Sequence, residues 1–247
     1  MGFDPSKAIA IIGMGARLPK AENVEEYRKN LKEKVGAISE VPKDRWDAEL
    51  YFHPDPGVPD KSYSKIGGFL DPYKPKYRAW RIPPKVASNL DTTQILALSV
   101  AQEALENSGY ADKEFDRTRC GVVLGNSMGG DLRDYSASRL ALAGFLRDLD
   151  DSEGFAKLSM QQRREILQEV ETRVLQRHPT ICEDTMAGEL SNVVAGRVAA
   201  AYKLSGPNFT VDAACASSLA AVTAAVRSLR SHERSEERRV GKECATG

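Results

Sequence analysis

Cysteine and histidine are scarce in this chain, with four and three copies among 247 residues. The cysteines form no C-x-x-C pair and are too sparse for a disulfide framework, which excludes a zinc ribbon and a disulfide-stapled secreted domain. His178 and Cys182 are four residues apart, but two ligands do not make a zinc site, so we expect no bound metal. Such use of cysteine is typical of a reducing compartment. The four cysteines are Cys120, Cys182, Cys215 and Cys244.

An excess charge of one sign and a long apolar run are absent as well. Lys and Arg number 35, as do Asp and Glu, and this balance argues against nucleic acid as a partner. No apolar stretch approaches the roughly 18 residues of a membrane-spanning helix, and the N-terminus lacks the apolar core of a signal peptide. We therefore expect a cytoplasmic protein that binds neither membrane nor nucleic acid. Its length allows one large domain or two small ones.

Strand-like and helix-like patterns alternate along the chain. Buried strands are predicted at residues 8–12, 120–124 and 209–212. Helices are predicted at residues 24–34, 92–108, 131–149, 159–178, 183–202 and 216–229. Asp91 and Asp131 are the expected N-terminal caps of two of them. This alternation indicates a layered α/β fold with a mainly parallel sheet.

Residues 42–84 are predicted to be largely irregular, because they contain eight of the twelve prolines. A short strand is expected near residues 66–70. So long an irregular stretch is usually functional or part of an interface.

Cys215 lies at the junction between the last predicted strand and the last predicted helix. A sulfur there is close to unpaired amide groups and to the positive end of the helix dipole, about half a unit charge. Both features favour the thiolate, which is the nucleophilic form. The alternative is a cysteine that is buried and only packs, as free cysteines often are. The five residues from Ala213 to Ser217 leave both interpretations open.

A glycine motif near the start, IAIIGMGARL, is similar to a dinucleotide-binding loop because a predicted strand precedes Gly13 and Gly15. The third glycine position holds Leu18, however, and Pro19 blocks an immediate helix. A pyrophosphate needs the amide groups of a helix start. The motif therefore favours a turn that ends a strand.

Gly125-Asn126-Ser127-Met128-Gly129 matches the G-x-S-x-G pattern of serine hydrolases, in which Ser127 would be the nucleophile. Such an enzyme needs a histidine within hydrogen-bond reach of the serine. The later histidines are His178, in a charged helix, and His232, near the end of the chain. Gly129 and Gly130 also separate the serine from the predicted helix start. His53, in the proline-rich stretch, has no partner pattern and is expected at the surface.

Three separated segments resemble one family. They are IAIIGMGARLP, LDTTQILALSVAQEALENSGY and GELSNVVAGRVAAAYKLSGPNFTVDAACASSLAAV. Together they resemble the β-ketoacyl synthase (ketosynthase) domain of type I polyketide and polyunsaturated fatty acid synthases. The resemblance covers about residues 9–229 and corresponds to the N-terminal half of that domain. It implies a thiolase-like layered α-β-α fold, of which this chain would be the first half.

The resemblance also implies a function. Cys215 would accept an acyl group from the phosphopantetheine thioester of an acyl carrier protein, and no cofactor would be bound directly. Decarboxylative Claisen condensation with a malonyl-type thioester would follow, with the Cys215 amide stabilising the oxyanion. The family's two catalytic histidines and its active-site lysine lie beyond the cysteine helix, where this chain has no counterparts. We therefore expect this fragment to be inactive. The resemblance also implies that the full-length protein is a homodimer.

Two other functions remain open at this point: a serine hydrolase that uses Ser127, and a non-catalytic docking or dimerisation module. The sequence also predicts a boundary near residue 233. The segment RSEERRVGKEC, which begins at Arg234, resembles a translated sequencing adapter. Residues 1–233 are thus expected to be the synthase half, and residues 234–247 a non-native tail.

Overall fold

The computed structural model describes residues 8–231, so the predicted tail at 234–247 and His232 lie outside the described residues. The helices and strands follow in chain order: α1 (Val24–Glu33), β1 (Ile38–Glu40), α2 (Ala48–Tyr51), β2 (Ile66–Gly68), α3 (Pro84–Ala87), α4 (Thr92–Asn107), β3 (Val122–Gly125), α5 (Asp131–Asp150), α6 (Met160–Arg177), α7 (Thr185–Glu189), α8 (Ser191–Tyr202), β4 (Asn208–Val211) and α9 (Ser217–Ser231). They form two compact units. The first holds residues 8–9, 76–98 and 115–231, and the second holds residues 10–75 and 99–114.

The first unit is built on the parallel pair β3 and β4. Val122 pairs with Asn208 at one end of the ladder, and Gly125 pairs with Val211 at the other. Because the strands are parallel, their carboxyl ends meet at one edge. Helices α8 and α9 both pack against the two strands. This arrangement is the α/β layering predicted from the sequence, and its core is rich in small and β-branched side chains, namely Val122, Val194, Ala195, Val198, Ala199 and Ala221.

The helix predicted at residues 183–202 is two helices, α7 and α8, which meet at Leu190. Leu190 has extended backbone angles, φ −72° and ψ 122°, so the helical hydrogen bonds cannot continue through it. The amide of the Gln94 side chain donates to the carbonyl oxygens of Ala187 and Gly188, both at 2.8 Å, and supplies donors that a continuous helix would have provided. Met186 of α7 is 63% exposed.

One carboxylate caps two helices. Asp91 is buried, and its Oδ1 accepts hydrogen bonds from the amide and hydroxyl of Thr93, each 2.7 Å, at the start of α4. Its Oδ2 accepts from the amide of Leu132 in the first turn of α5, at 2.9 Å. The prediction for α4 is confirmed. The prediction that Asp131 caps α5 is wrong, because Asp131 is already helical and the N-cap is Gly130, which has no side chain to offer.

Other helix predictions hold closely. Helix α4 ends at Asn107, and Gly109 follows with a left-handed φ of 72°. Leu98 is fully buried on the inner side of α4. Helix α6 begins at a capping box formed by Ser159 and Gln162 and ends before His178, where sequence periodicity placed its limits.

The second unit contains the antiparallel pair β1 and β2, in which Ile38 is opposite Gly68. The predicted strand near residue 66 is therefore present, although its partner is antiparallel. Helix α1 forms as predicted, with Asn23 as its cap. The apolar stripe of α1 is not buried, however, since Leu31 is 61% exposed.

The buried strand predicted at residues 8–12 does not form. These residues have no regular structure, and Ile11 and Ile12 are 84% and 64% exposed. A strand needs a neighbouring strand to take its backbone hydrogen bonds. No strand between residues 8 and 231 pairs with this segment.

Candidate active site

Cys215 lies where the sequence predicts, in the tight turn between β4 and α9. The five residues from Asp212 to Ala216 are exposed, so the sulfur is open to solvent rather than packed in the core. This placement removes the alternative of a cysteine that only packs. The residue before it, Ala214, has a left-handed φ of 49°, which a residue with a Cβ rarely adopts. Cys215 follows it, four residues after Val211 at the carboxyl end of β4.

Side chains on both flanks of Cys215 hold the turn. The Ala214 amide donates to Oδ1 of Asp212 at 3.0 Å. The hydroxyl of Ser217 accepts from the Ala213 amide at 2.9 Å and donates to the Ala214 carbonyl at 2.7 Å. Sequence reasoning singled out the cysteine and missed these two polar residues. Their signal was local, because Asp and Ser are the residues that most often bond to nearby backbone in turns.

Some backbone amides near the sulfur have hydrogen-bond acceptors within the described part of the protein, and the Cys215 amide does not. The amides of Ala216 and Ser217 donate to the carbonyls of Ala213 and Ala214, at 3.0 and 3.1 Å. The Cys215 amide has no hydrogen-bond acceptor among residues 8–231. A helix start leaves such donors for a ligand. The Cys215 amide is thus available as a donor beside the thiol.

The end of β3 lies beside this turn. The Asn126 amide donates to the carbonyl of Val211 at 3.1 Å, one residue before Asp212. The Asn126 side chain donates to the hydroxyl of Ser191, at the start of α8, at 3.2 Å. Thr210 of β4 in turn donates to the Ser191 carbonyl at 2.8 Å. These bonds join two strand ends to one helix start, and no sequence motif had indicated them.

Ser127, the alternative nucleophile, lies in the loop after β3. Helix α5 begins only at Asp131, so the serine does not lead directly into a helix. No histidine ring is hydrogen-bonded to Ser127 within residues 8–231. The His178 ring stacks on Tyr135 with a centroid distance of 5.1 Å, and His53 accepts a bond from the amide of Asp55 in its own loop. Between residues 8 and 231, neither His53 nor His178 is therefore bonded to Ser127.

The glycine motif near the start packs on α4. A Cβ on Gly13 would lie 2.3 Å from the carbonyl oxygen of Ala104, and this close approach therefore needs glycine there. The Met14 amide donates to the Asn107 side chain, and the Ala16 amide donates to Glu103, both at 3.0 Å. These two amides are already bonded to protein, which leaves them unavailable to a nucleotide phosphate. The strand that the predicted turn was expected to end is absent, and residues 13–17 have no regular structure.

Neither a metal cluster nor a membrane-spanning helix is found among residues 8–231. No group of three or more His, Cys, Asp or Glu side chains is placed to hold a metal there. The Cys182 thiol instead donates to Oδ1 of Asn89 at 3.4 Å. In the same part of the chain, no helix has both the length and the apolar character that crossing a bilayer requires.

Comparison with known proteins decides the family. The model of the β-ketoacyl synthase N-terminal domain matches residues 6–235. The chain belongs to the β-ketoacyl synthase family. It is similar to one of the proteins of the polyunsaturated fatty acid synthase from Thraustochytrium, with 32% identity over 224 residues, which are 90% of this chain and 8% of that protein. It is also similar to the polyketide synthase PksL of Bacillus subtilis, with 30% identity over 92% of this chain and 4% of that protein.

Solved ketosynthase structures are similar in fold. One is the oxazolomycin ketosynthase domain from Streptomyces albus, with a TM-score of 0.63 and 25% identity over 90% of this chain and 32% of that one. Another is the ketosynthase from module 6 of the bacillaene synthase of Bacillus subtilis, with a TM-score of 0.56 and 23% identity over 91% of this chain and 30% of that one. The thiolase-like α/β fold implied by the resemblance is thus confirmed. The chain spans about a third of the structures it matches and under a tenth of the two synthases.

Proposed function

We propose that Cys215 is the acyl-accepting nucleophile of a β-ketoacyl synthase. The observation that carries this proposal is the exposed cysteine at a strand–turn–helix junction in a chain of this family. A condensing function is common to the ketosynthases that the chain resembles. The acyl donor is a thioester on the phosphopantetheine arm of an acyl carrier protein, which acts as a substrate and a transient partner.

In the first step the Cys215 thiolate attacks the carbonyl carbon of the acyl thioester. A carbon–sulfur bond forms to Cys215, the bond to the phosphopantetheine sulfur breaks, and the released thiolate takes up a proton. Negative charge develops on the thioester oxygen in between. The Cys215 amide, which has no acceptor among residues 8–231, is available to donate to that oxygen. Removal of one such donor typically slows catalysis by about 10²–10³.

In the second step a malonyl-type thioester loses carbon dioxide, and the resulting carbanion attacks the acyl group on Cys215. The carbon–sulfur bond to Cys215 breaks, and the products are carbon dioxide, a 3-oxoacyl thioester and the Cys215 thiolate. In the family, two histidines and a lysine beyond the cysteine helix assist this step, and this chain has no counterparts of them. We propose that the 247-residue chain takes up an acyl group but does not condense it, and that the longer protein condenses as a homodimer.

Acyl transfer can be tested directly on the chain. Incubation with a medium-chain acyl-pantetheine thioester, digestion and peptide mass measurement should place the acyl group on the Cys215 peptide. The label should disappear in Cys215→Ala and persist in Cys182→Ala, a matched control at another exposed cysteine. An unlabelled Cys215 peptide would overturn the proposal. If the unlabelled 247-residue chain still formed dimers, a non-catalytic docking or dimerisation module would be the favoured function.

The same samples separate the other candidates. A fluorophosphonate should leave Ser127 unmodified, and modification there would favour a serine hydrolase. Addition of malonyl-pantetheine to the acylated chain should give no 3-oxoacyl product. Formation of that product would contradict the proposal that this chain takes up an acyl group but does not condense it.

A further inference from the structure

Ala214 adopts a conformation that its own chemistry disfavours. Its φ of 49° is left-handed, and an L-residue with a Cβ persists there only when its surroundings hold it. Glycine would adopt this angle freely, but this position carries alanine. The atoms that hold Ala214 also fix the direction in which the next residue, Cys215, leaves the backbone.

The Ser217 hydroxyl provides the buried part of this support. Ser217 is 6% exposed, whereas Asp212, which bonds to the Ala214 amide, is exposed to solvent. Water competes for the bond to Asp212 but is largely excluded from Ser217. The serine uses both of its hydrogen-bonding capacities, as acceptor from the Ala213 amide and as donor to the Ala214 carbonyl. It thereby joins the two residues before the nucleophile to the first turn of α9.

We propose that Ser217 is a positioning residue for Cys215. Its hydroxyl holds Ala214 in the left-handed conformation and so sets the approach of the sulfur and of the Cys215 amide to a thioester. Without the hydroxyl, the Ala213 amide loses its partner and the Ala214 carbonyl keeps only the bond from the Ser217 amide, so Ala214 relaxes toward the conformations that alanine prefers. This inference rests on the proposed role of Cys215 as the acyl acceptor.

The test compares acylation at two cysteines of one chain. The 247-residue chain is treated with an acyl-pantetheine thioester, and the initial rates at the Cys215 and Cys182 peptides are expressed as a ratio. Cys182 is exposed and distant in sequence, so its rate gives the reactivity of an accessible thiol outside the site, and circular dichroism checks that each variant remains folded. We expect Ser217→Ala to lower the ratio about tenfold, as suits loss of two neutral hydrogen bonds. Ser217→Thr, which keeps the hydroxyl, should restore most of it.

Ser218→Ala is the matched control, because it removes a hydroxyl from the adjacent, exposed position. It should leave the ratio unchanged. Hydrogen exchange at the Ala213 amide gives a second measurement, and it should be faster in Ser217→Ala than in the wild type. An unchanged ratio and unchanged exchange in Ser217→Ala would overturn the positioning role while leaving acyl transfer intact. A wild-type ratio near one would instead overturn the proposed function, and this inference with it.

Discussion

Gly125 and Ser217, at the end of β3 and the start of α9, approach so closely that no side chain fits between them. A Cβ on Gly125 would lie 2.4 Å from the carbonyl carbon of Ser217 and 2.6 Å from the amide nitrogen of Ser218. These are backbone atoms, which cannot swing aside as the end of a side chain can. The first turn of the cysteine helix therefore rests on the bare backbone of the neighbouring strand.

Substitution of Gly125 by alanine should consequently disrupt the site. The added methyl group forces the strand end and α9 apart, and we expect the free energy of unfolding to fall by about 2–3 kcal/mol, in the range of overpacked cores. Acylation of Cys215 should fall with it. Chemical denaturation and the acylation assay measure the two effects.

Gly144→Ala provides the contrast within the same chain. Gly144 lies inside α5, and a Cβ there meets no atom within 4 Å. Alanine is the better helix former, so this change should stabilise the protein by roughly 0.5–1 kcal/mol. Equal effects of the two substitutions would contradict the close approach at Gly125.

Loss of the Asp91 carboxylate should cost more than loss of an ordinary cap. Asp91→Ala removes the caps of α4 and α5 together, and each cap is typically worth about 1 kcal/mol. We expect a decrease of about 2–4 kcal/mol in the free energy of unfolding, since the freed amide of Leu132 is also buried. Asn23→Ala, which removes the single cap of α1, should cost about 1 kcal/mol. Similar midpoints for the two variants in urea would argue against the double cap.

Glu103 should control the order of the segment that contains the glycine motif. Its two carboxylate oxygens accept from the amides of Ala16 and Val24, at 3.0 and 2.8 Å. Glu103→Ala should therefore speed hydrogen exchange across residues 14–24 by about tenfold. Glu106→Ala, one turn later, removes the acceptor of the Gln102 side chain and should leave that exchange unchanged.

The Cys120 thiol should be a slow nucleophile. Burial raises its pKa above the ordinary thiol value, and the nearby Arg117 guanidinium opposes this rise. A higher pKa means less thiolate at a given pH, so iodoacetamide should modify Cys120 only slowly at pH 8, with a rate that still increases above pH 9. Peptide mass measurement over a pH series gives this profile.

Arg117 allows a sharper form of the same test. Arg117→Ala removes the charge that opposes the rise, so the Cys120 pKa should increase further and its alkylation at pH 8 should slow. Arg117→Lys keeps the charge and should lie between the wild type and Arg117→Ala. Faster alkylation of Cys120 in Arg117→Lys than in the wild type would contradict this electrostatic account.

The elements that sequence predicted well are those with local signals. Helix α6 has a capping box at Ser159, and α4 has an aspartate before it and a glycine after it, so both could be bounded from neighbouring residues. The site cysteine was found in the same way, from its place between a strand pattern and a helix pattern.

The predictions that failed depend on residues far away in sequence. Asp91 bonds to the Leu132 amide in the first turn of α5, 41 residues later, and Gln94 bonds to carbonyls more than 90 residues later, where it helps to divide α7 from α8. The left-handed Ala214 had no signal, because alanine is not a residue that favours this angle. Residues 8–12 have the composition of a strand but no described partner, and composition alone cannot supply one.

The packing of the glycine motif has a consequence for ligand design. The amides of Met14 and Ala16, which could otherwise bind a phosphate, donate to the side-chain oxygens of Asn107 and Glu103. A nucleotide tail arriving there would have to displace protein oxygens and would meet negative charge from Glu103. Inhibitors built on adenine dinucleotides would gain no affinity from this loop. An electrophile can instead reach the sulfur of Cys215, because that residue is exposed to solvent.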